Sequence, residues 1–287
     1  MQKGKPKRKV RPAQKVTAKQ GQEEQMRPQP VFEKEQDILR LRNKVAIITG
    51  GDSGIGKAVA IAFAKEGADV VIAYHKDNKD AAATEQRIKE IGRQCLLIAG
   101  DISKPAHCKK IIRQTIKQFG KINILVNNAA VQFPKEKLAD ITAGQLKKTF
   151  EVNIFSQFFL TQAAEPYLEE AAVIINTTSV TAYRGSAHLL DYSATKGAIV
   201  SFTRSLSGYF AKKNIRVNAV APGPVWTPLI PSTFPPAHVA SFGTDTPLGR
   251  AAEPVEMAYA FVFLASDDAS YITGQVIHAN GGEIVNA

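Results

Sequence analysis

The chain has 287 residues and a net charge of +11 at pH 7, with 44% hydrophobic and 22% charged residues. These values are ordinary for a globular protein, and the length predicts one or two domains. Two cysteines are too few for a disulfide framework and favour a reducing, cytoplasmic location. No apolar run approaches the roughly 18 residues of a membrane-spanning helix, and the first thirty residues lack the apolar segment of a secretory signal. Collagen, coiled-coil, disulfide-miniprotein and membrane-spanning classes are therefore excluded.

Most of the excess positive charge lies in the first thirty residues, which hold nine Lys or Arg against two Glu. Residues 1–40 are polar and poor in large apolar side chains, which predicts a disordered basic arm. A solvated tail, a polyanion-binding or nuclear-localisation patch and a transit peptide are the alternatives for this arm. Because the rest of the chain carries only +4, we expect no nucleic-acid partner beyond nonspecific contact by the arm.

From Leu41 onward, seven short apolar runs alternate with helical patterns. Runs that are apolar throughout predict strands buried on both faces, and hence a parallel sheet with helices on each side. Right-handed crossovers then predict one doubly wound, Rossmann-like α/β domain over residues 41–287. A long helix is expected at about 142–169, and a Pro-rich segment at 224–250, with Trp226 and Phe242, is either a lid or a long surface loop. The runs are 45–49, 70–74, 95–99, 122–126, 173–176, 215–220 and 276–279.

A glycine-rich turn joins the first predicted strand to the first helix, in the sequence Thr49–Gly56. Glycines there allow positive φ and a close approach of backbone to a ligand, and the helix N-terminus suits a pyrophosphate. A plain tight turn is the alternative, but the position after the first strand favours dinucleotide binding. The candidate contacts are Gly50, Asp52, Ser53, Gly54, Ile55 and Gly56.

The end of the second predicted strand bears on the choice of dinucleotide. It reads Tyr74–His75–Lys76, with no acid until Asp77. An acid would bind a ribose 2′-hydroxyl, whereas His75 and Lys76 can pair with a 2′-phosphate, so NADP is favoured over NAD. A solvated loop charge is the alternative interpretation of Lys76. After the third strand, Asp101 either accepts a hydrogen bond from an adenine amino group or caps the next helix, and the adjacent Ile102 is a further candidate contact.

Tyr192 and Lys196 lie four residues apart in a predicted helix and therefore share a face. An ammonium group beside a phenol favours the phenolate and lowers its pKa, which suits proton exchange with an alcohol or carbonyl oxygen. Taken alone, such a pair is more often a packed Tyr beside a Lys. Ser179 ends the fifth apolar run, at the sheet edge where ligands bind, and could orient a substrate oxygen or be an ordinary strand-end hydroxyl.

Two asparagines complete the candidate site. Asn153 lies inside the long predicted helix, where Asn is a poor helix former. It either holds a kink and a water or is a satisfied buried amide. Asn128, with Ala129, follows the fourth run at the same edge of the sheet.

The sequence resembles the short-chain dehydrogenase/reductase family over about residues 41–287. The glycine turn, the Asn-Asn-Ala segment, Asn153, Ser179, the Tyr192/Lys196 pair and Pro222–Gly223 follow the family's order and approximate spacing. The long arm and the ending Asn280–Glu283 are similar to bacterial general-stress oxidoreductases. Ala130 departs from the family, which usually has Gly there.

This resemblance implies an NAD(P)-dependent oxidoreductase that interconverts an alcohol and a carbonyl, assembled as a homo-oligomer, a tetramer in the family. It implies that Tyr192 is the acid/base, that Lys196 tunes it and holds the nicotinamide ribose, that Ser179 positions the substrate oxygen and that Asn153 holds a relay water. No metal is expected. The remaining implied cofactor contacts are Asn128, Ala129, Pro222, Gly223, Val225 and Thr227.

The alternative function is a non-catalytic dinucleotide sensor whose arm binds a polyanion, although a binder has no need of a tuned phenol. The substrate itself is not identified by the sequence. A partly apolar substrate site is indicated by Val180, Tyr183, Leu189, Leu190 and Trp226.

Overall fold

The structure is a computed structural model that describes residues 39–285. Seven strands form one parallel sheet in the order β3-β2-β1-β4-β5-β6-β7, which confirms the predicted doubly wound sheet. The strands are β1 (Val45–Thr49), β2 (Asp69–Tyr74), β3 (Cys95–Ala99), β4 (Ile122–Asn127), β5 (Leu168–Thr177), β6 (Arg216–Pro222) and β7 (Val276–Ala279).

Helices cover both faces of the sheet, because alternate residues of each central strand point to opposite sides. Ile48 of β1 packs in a core with α1, α2 and α10, and its neighbour Ile47 packs in a second core with α3, α5 and the end of α7. The helices are α1 (Gly54–Lys65), α2 (Asn78–Glu90), α3 (Pro105–Phe119), α4 (Ala143–Phe150), α5 (Ser156–Ala164), α6 (Thr181–Arg184), α7 (Leu190–Phe210), α8 (Leu229–Thr233), α9 (Pro236–Ala240) and α10 (Pro254–Ala265). Short 3₁₀ turns lie at Leu138–Asp140, Glu165–Tyr167, Ala211–Lys213 and Asp267–Ala269.

The helical segment expected at about 142–169 is confirmed over Ala143–Tyr167, but it is not one regular helix. The chain forms α4, a π-helical turn at Glu151–Phe155, then α5, and β5 already begins at Leu168. The interruption falls on Asn153, whose side chain bonds outside the helix and so competes with regular helical geometry. Periodicity merged these pieces because the apolar stripe continues across the π turn.

The order of the strands creates a crevice. From β1 the chain moves outward to β2 and β3, then returns to the other side of β1 with β4. The loops after β1 and β4 therefore part in opposite directions, which opens a cleft at the carboxyl edge of the sheet. This is where the sequence places its candidate residues.

The predicted arm, residues 1–40, falls almost wholly outside the described residues, and so do its predicted disorder and polyanion binding. Residues from Leu39 onward form one compact unit. Its first residues are fastened to the turn after α1, since Leu41 is fully buried and Arg40 forms an ion pair with Glu66. Within residues 39–285, none of the helices has the length and hydropathy needed to cross a membrane.

The close approach of α1 to the turn before it predicts that Gly56→Ala is destabilising. A Cβ at Gly56 would lie 2.0 Å from the Gly50 carbonyl oxygen and 2.7 Å from Asn128 Nδ2, so the turn would have to move. We expect a loss of about 1–3 kcal/mol in the free energy of unfolding, measured by urea denaturation. The matched control is Gly208→Ala in α7, where a Cβ meets nothing within 4 Å and the change should be neutral or stabilising. Equal unfolding midpoints for the two variants would contradict this account.

Candidate active site

A cavity of about 920 Å³ opens at the carboxyl edge of the sheet. It runs from the turn after β1, past the ends of β4 and β5, to the loop after β6. Most of the residues singled out from the sequence line it, although they are up to 177 positions apart in the chain. These are Gly50, Asp52, Ser53, Gly54, Ile55, Tyr74, His75, Asp101, Ile102, Asn128, Ala129, Ser179, Tyr192, Lys196, Pro222, Gly223, Val225 and Thr227.

The glycine turn forms one end of the cavity. Gly50 and Gly54 have φ of +65° and +52°, which an L side chain rarely adopts. Ser53 precedes α1 without a capping side-chain bond, so the N–H groups of the first helical turn are not satisfied by a cap. Because Gly54 lies against Thr227, the turn and the loop after β6 enclose the same space. A pyrophosphate fits these features.

The amide of Asn128 holds this turn in place. Its Nδ2 donates to the Thr49 carbonyl at 3.0 Å, and the Thr49 hydroxyl accepts from the Asn128 N–H at 2.9 Å. These bonds connect the end of β1 to the end of β4. Asn128 thus supports the glycine turn as well as lining the cavity.

The predicted ligand contact by Gly56 stays a prediction, and the structure gives this residue a packing role. Gly56 does not line the cavity. It is buried where α1 crosses the turn, close to the Gly50 carbonyl. Its missing side chain allows the helix to pack against the turn, so its contribution to the site is structural.

Lys76 also lies outside the cavity lining, whereas His75 is part of it. The predicted pairing of Lys76 with a 2′-phosphate therefore requires its exposed, flexible side chain to reach in from the rim. Carboxylates lie nearby: burial raises the pKa of Asp52, and the charges of Asp80 and Asp77 raise it further. The rim thus carries both signs of charge.

Asp101 does not cap α3, whose N-cap Lys104 has no side-chain capping bond, and its contact with an adenine amino group stays a prediction. Its Oδ1 accepts from the Ser103 N–H at 2.9 Å, and it lines the cavity. Burial would raise the pKa of Asp101, but the hydrogen bonds from Ser103 and the charge of Lys148, 3.4 Å away, lower it to about 2. Asp101 is therefore an ionised acceptor at neutral pH.

Tyr192 and Lys196 share one face of α7, as predicted. The Nζ of Lys196 lies 5.3 Å from the centre of the Tyr192 ring and donates to the Thr177 carbonyl at 2.8 Å. Lys196 is almost fully buried, and this burial lowers its pKa to about 7. The bond to Thr177 fastens α7 to the end of β5.

The predicted lowering of the Tyr192 pKa is wrong for this arrangement. Burial raises the pKa of Tyr192 to about 12, and the hydrogen bond with Ser179 opposes only part of that rise. Lys196 is directed at a carbonyl rather than at the phenol, and its own lowered pKa reduces its positive charge at neutral pH. Spacing correctly predicted that the two residues are neighbours, whereas burial is the main cause of both pKa shifts.

Ser179 lies beside Tyr192 at the end of β5. Its oxygen accepts from the Thr181 N–H at 3.2 Å and from the Thr181 hydroxyl at 3.1 Å. Its own proton is directed at Tyr192, since the hydrogen bond from Ser179 opposes the rise in the Tyr192 pKa. The bond with the Thr181 N–H is a local turn that an ordinary strand-end serine also makes, so the orienting role of Ser179 stays a prediction.

Asn153 is fully buried and does not line the cavity. Its Oδ1 accepts from the Val131 N–H at 2.8 Å, and its Nδ2 donates to the Val131 carbonyl at 2.9 Å and to the Thr195 hydroxyl at 3.1 Å. Both predicted features, a helical irregularity and a satisfied amide, are present. Asn153 thus joins the loop after β4 to the helix that carries Tyr192.

Of the predicted substrate-site residues, Val180 and Leu189 line the cavity, whereas Tyr183, Leu190 and Trp226 do not. Tyr183 packs against His278 instead, and Trp226 is half exposed. Sequence reasoning missed further lining residues because they come from remote loops and carry no motif. They include Gln132, Lys148, Thr181, Arg184, His188, Phe234 and His238.

Comparisons with known proteins agree with this site. A family model described as enoyl-(acyl carrier protein) reductase matches residues 50–283. General stress protein 39 of Bacillus subtilis strain 168 is 52% identical over 276 residues, covering 96% of each chain. NADPH-dependent aldehyde reductase 1, chloroplastic, of Arabidopsis thaliana is 48% identical over 283 residues, covering 96% of this chain and 98% of that protein.

A solved structure is similar as well. The short-chain dehydrogenase from Burkholderia cenocepacia J2315 in complex with NADP has a TM-score of 0.80 and 30% sequence identity, and the match covers 85% of this chain and 98% of that one. The sheet, the arrangement of the site and these matches lead to one conclusion. The chain is an oxidoreductase that belongs to the short-chain dehydrogenase/reductase family, and within it to the general-stress type that the sequence motifs predicted.

Proposed function

We propose that the protein uses NADP to interconvert an alcohol and a carbonyl compound, with Tyr192 as the general acid/base. The observation that carries this proposal is the meeting of Tyr192, Ser179 and Lys196 on one wall of a cavity. The same cavity ends at the uncapped N-terminus of α1. A proton-transfer group and a pyrophosphate cradle are thus within one enclosure.

The side chains of this wall have separable tasks. With substrate bound, the Ser179 hydroxyl would donate a hydrogen bond to the substrate oxygen in place of Tyr192 and fix that oxygen beside the Tyr192 hydroxyl. The hydroxyl of Tyr192 then gives a proton to the oxygen during reduction, or takes one during oxidation. Burial raises the pKa of Tyr192 to about 12, so the hydroxyl carries its proton at neutral pH. A bound nicotinamide supplies or accepts the hydride.

The choice of NADP is supported by several observations. His75 lines the cavity at the end of β2, and Lys76 follows it at the rim. The related Arabidopsis reductase is named as NADPH-dependent, and the Burkholderia structure holds NADP. Asp77 and Asp80 add negative charge near the same turn, which would disfavour a 2′-phosphate, so NAD is the alternative cofactor. His75 and Lys76 are the residues that favour NADP.

Asn153 is proposed to contribute by positioning. Its bonds to Val131 and Thr195 hold the loop after β4 against α7, and a relay water near it stays a prediction. Through these bonds, Asn153 keeps the loop after β4 in contact with the helix that carries Tyr192.

The segment 224–250 is proposed as a lid. It contains α8 and α9, and Phe234 and His238 stack 4.3 Å apart over the cavity. Gln132 Nε2 donates to the Thr233 hydroxyl at 2.9 Å, which links this segment to the loop after β4. Bulky groups here would exclude water from the reacting atoms.

Three further expectations belong to this proposal. The domain begins near residue 41, after a basic arm.

A homo-oligomer, a tetramer by family likeness, is supported by aromatic side chains exposed on α5 and α7, Phe158 and Tyr209 among them. A cytoplasmic location is supported by Cys95 and Cys108, which are free thiols.

Replacing Tyr192 with Phe tests the acid/base role. We expect Tyr192→Phe to lower kcat by at least about 100-fold, because the proton donor is lost, while the fold is retained. The measurement is NADPH oxidation with a panel of aldehydes and ketones. Tyr271→Phe is the control, since Tyr271 is fully exposed and lies outside the cavity lining. Near-normal turnover by Tyr192→Phe would reject the assignment.

The cofactor preference is tested by Lys76→Ala. Loss of a charged partner for the 2′-phosphate should weaken NADPH binding by about tenfold or more and leave NADH binding nearly unchanged. Both dissociation constants are measured by fluorescence titration. Lys79→Ala, on the adjoining first turn of α2, is the control. If both cofactors bind equally to wild type and to Lys76→Ala, the preference does not come from this residue.

The lowered pKa of Lys196, about 7, predicts a pH-dependent stability. An unfolded lysine titrates near 10.4, so between pH 7 and about 10 the unfolded chain binds more protons and the folded state gains stability as pH rises. The difference in unfolding free energy, wild type minus Lys196→Met, should therefore increase by up to about 1.4 kcal/mol per pH unit.

Urea denaturation from pH 7 to 9.5 measures this difference. Lys212→Met, which removes the same charge from an exposed position, is the control. A difference that is flat with pH would show that the Lys196 ammonium is not destabilised by burial.

A further inference from the structure

A buried carboxylate lies immediately before Tyr192. Asp191 is only 3% exposed, yet among residues 39–285 it has no ion-pair partner. Its Oδ2 accepts from the Thr149 hydroxyl at 2.7 Å and from Gln145 Nε2 at 3.1 Å, and its Oδ1 accepts from the N–H of Tyr192 at 2.9 Å. Removing a charge from water without a counter-charge is costly, so these three bonds and the N-terminus of α7 have to compensate for it.

These contacts belong to a regular array between two helices, which we call the polar ladder. On one side, Gln145, Thr149 and Asn153 are spaced four residues apart along α4 and the π turn, so they form one stripe. On the other side, Asp191 and Thr195 are four apart on α7. Asn153 donates to Thr195 as Gln145 and Thr149 do to Asp191.

The polar ladder is adjacent to the catalytic face of α7. Asp191 and Thr195 each precede by one residue the pair Tyr192 and Lys196, and successive helical residues are turned by about 100°. When Asp191 and Thr195 are held against α4 and the π turn, Tyr192 and Lys196 are turned toward the cavity. The ladder therefore sets the rotation of the first two turns of α7.

Asp191 is the member of the polar ladder that lies in the first turn of α7. Leu189, the residue preceding α7, makes no side-chain capping bond. The first turn of α7 is instead held by the bonds from Asp191 to Gln145 and Thr149. Gln145 uses its second amide hydrogen to bond the Phe133 carbonyl at 3.1 Å, which ties the loop after β4 to the same carboxylate. Displacing Asp191 would loosen both the start of α7 and this loop.

We propose that Asp191 is a positioning residue for the reaction: through the polar ladder it holds the first turn of α7 so that the Tyr192 hydroxyl meets Ser179 in the cavity. The proposal rests on the function proposed for Tyr192. It assigns no chemistry to Asp191 itself, because its carboxylate does not line the cavity.

The test compares Asp191→Ala, Asp191→Asn and Thr149→Val with wild type. Asp191→Ala should lower kcat by about 10- to 100-fold, since small displacements of reacting groups have effects of this size, while the dissociation constant for NADPH changes less than about threefold. Asp191→Asn keeps an acceptor for the Tyr192 N–H and should recover part of kcat. Thr149→Val removes one bond and should fall between Asp191→Ala and wild type.

A stability control separates positioning from general damage. Ile88→Ala empties a fully buried site on α2, remote from the polar ladder, and its Tm is compared with that of Asp191→Ala. The proposal is overturned if Asp191→Ala keeps kcat within threefold of wild type. It is also overturned if kcat falls equally in Ile88→Ala, or if Asp191→Asn is no better than Asp191→Ala.

Amide hydrogen exchange gives a reading that needs no turnover. Peptides covering residues 188–196 should exchange faster in Asp191→Ala and Thr149→Val than in wild type, and should be unchanged in Ile88→Ala. Unchanged exchange there overturns the proposal. If wild type reduces no carbonyl in the panel, the function proposed for Tyr192 fails, and the exchange data still decide whether Asp191 fixes the start of α7. Should Asp191→Ala fail to fold, Asp191→Asn and Thr149→Val supply the same comparisons.

Discussion

The hydrogen bond from Lys196 Nζ to the Thr177 carbonyl connects the helix of the site to the sheet. Thr177 is the last residue of β5, and β5 is held on both sides by β4 and β6. The position of this carbonyl is therefore set by the packing of the whole sheet. Because Lys196 is buried beside this acceptor, water does not solvate its ammonium group, and its pKa is lowered to about 7.

Buried polar groups extend this connection along the sheet edge. Asn127 Nδ2 donates to Asn176 Oδ1, and Asn176 Nδ2 donates to the Thr203 hydroxyl, both at 2.9 Å. Together with the polar ladder, these bonds fix α7 along its length and not just where it carries Tyr192. Unlike apolar packing, hydrogen bonds specify direction, so this helix can rotate little without leaving buried groups unpaired. Such a support suits the acid/base role that we propose for Tyr192.

Much of the site was predictable because it depends on short-range patterns. The apolar runs predicted the positions of all seven strands, and strand ends predicted where Ser179 and Asn128 would lie. The four-residue spacing predicted that Tyr192 and Lys196 are neighbours. The features that the sequence did not predict share one cause: the packing role of Gly56, the raised pKa of Tyr192 and the π turn inside the helical segment at 142–169 each depend on what a residue meets from elsewhere in the chain. For Gly56 that is the Gly50 carbonyl, and for the helix it is Val131 and Thr195, which take the bonds of Asn153.

The sequence by itself determined the fold class, the alternation of strands and helices, and the family, because periodicity and motif order are properties of neighbouring residues along the chain. Only the tertiary structure decided which side chains face the cavity and how protons are distributed among them. Burial changes the free energy of a charged group and so shifts its pKa. Burial is produced by segments far apart in sequence, which the spacing of residues along one helix does not reveal. For the same reason, the carboxylate of Asp191 became a candidate only when α4 was found packed against the start of α7.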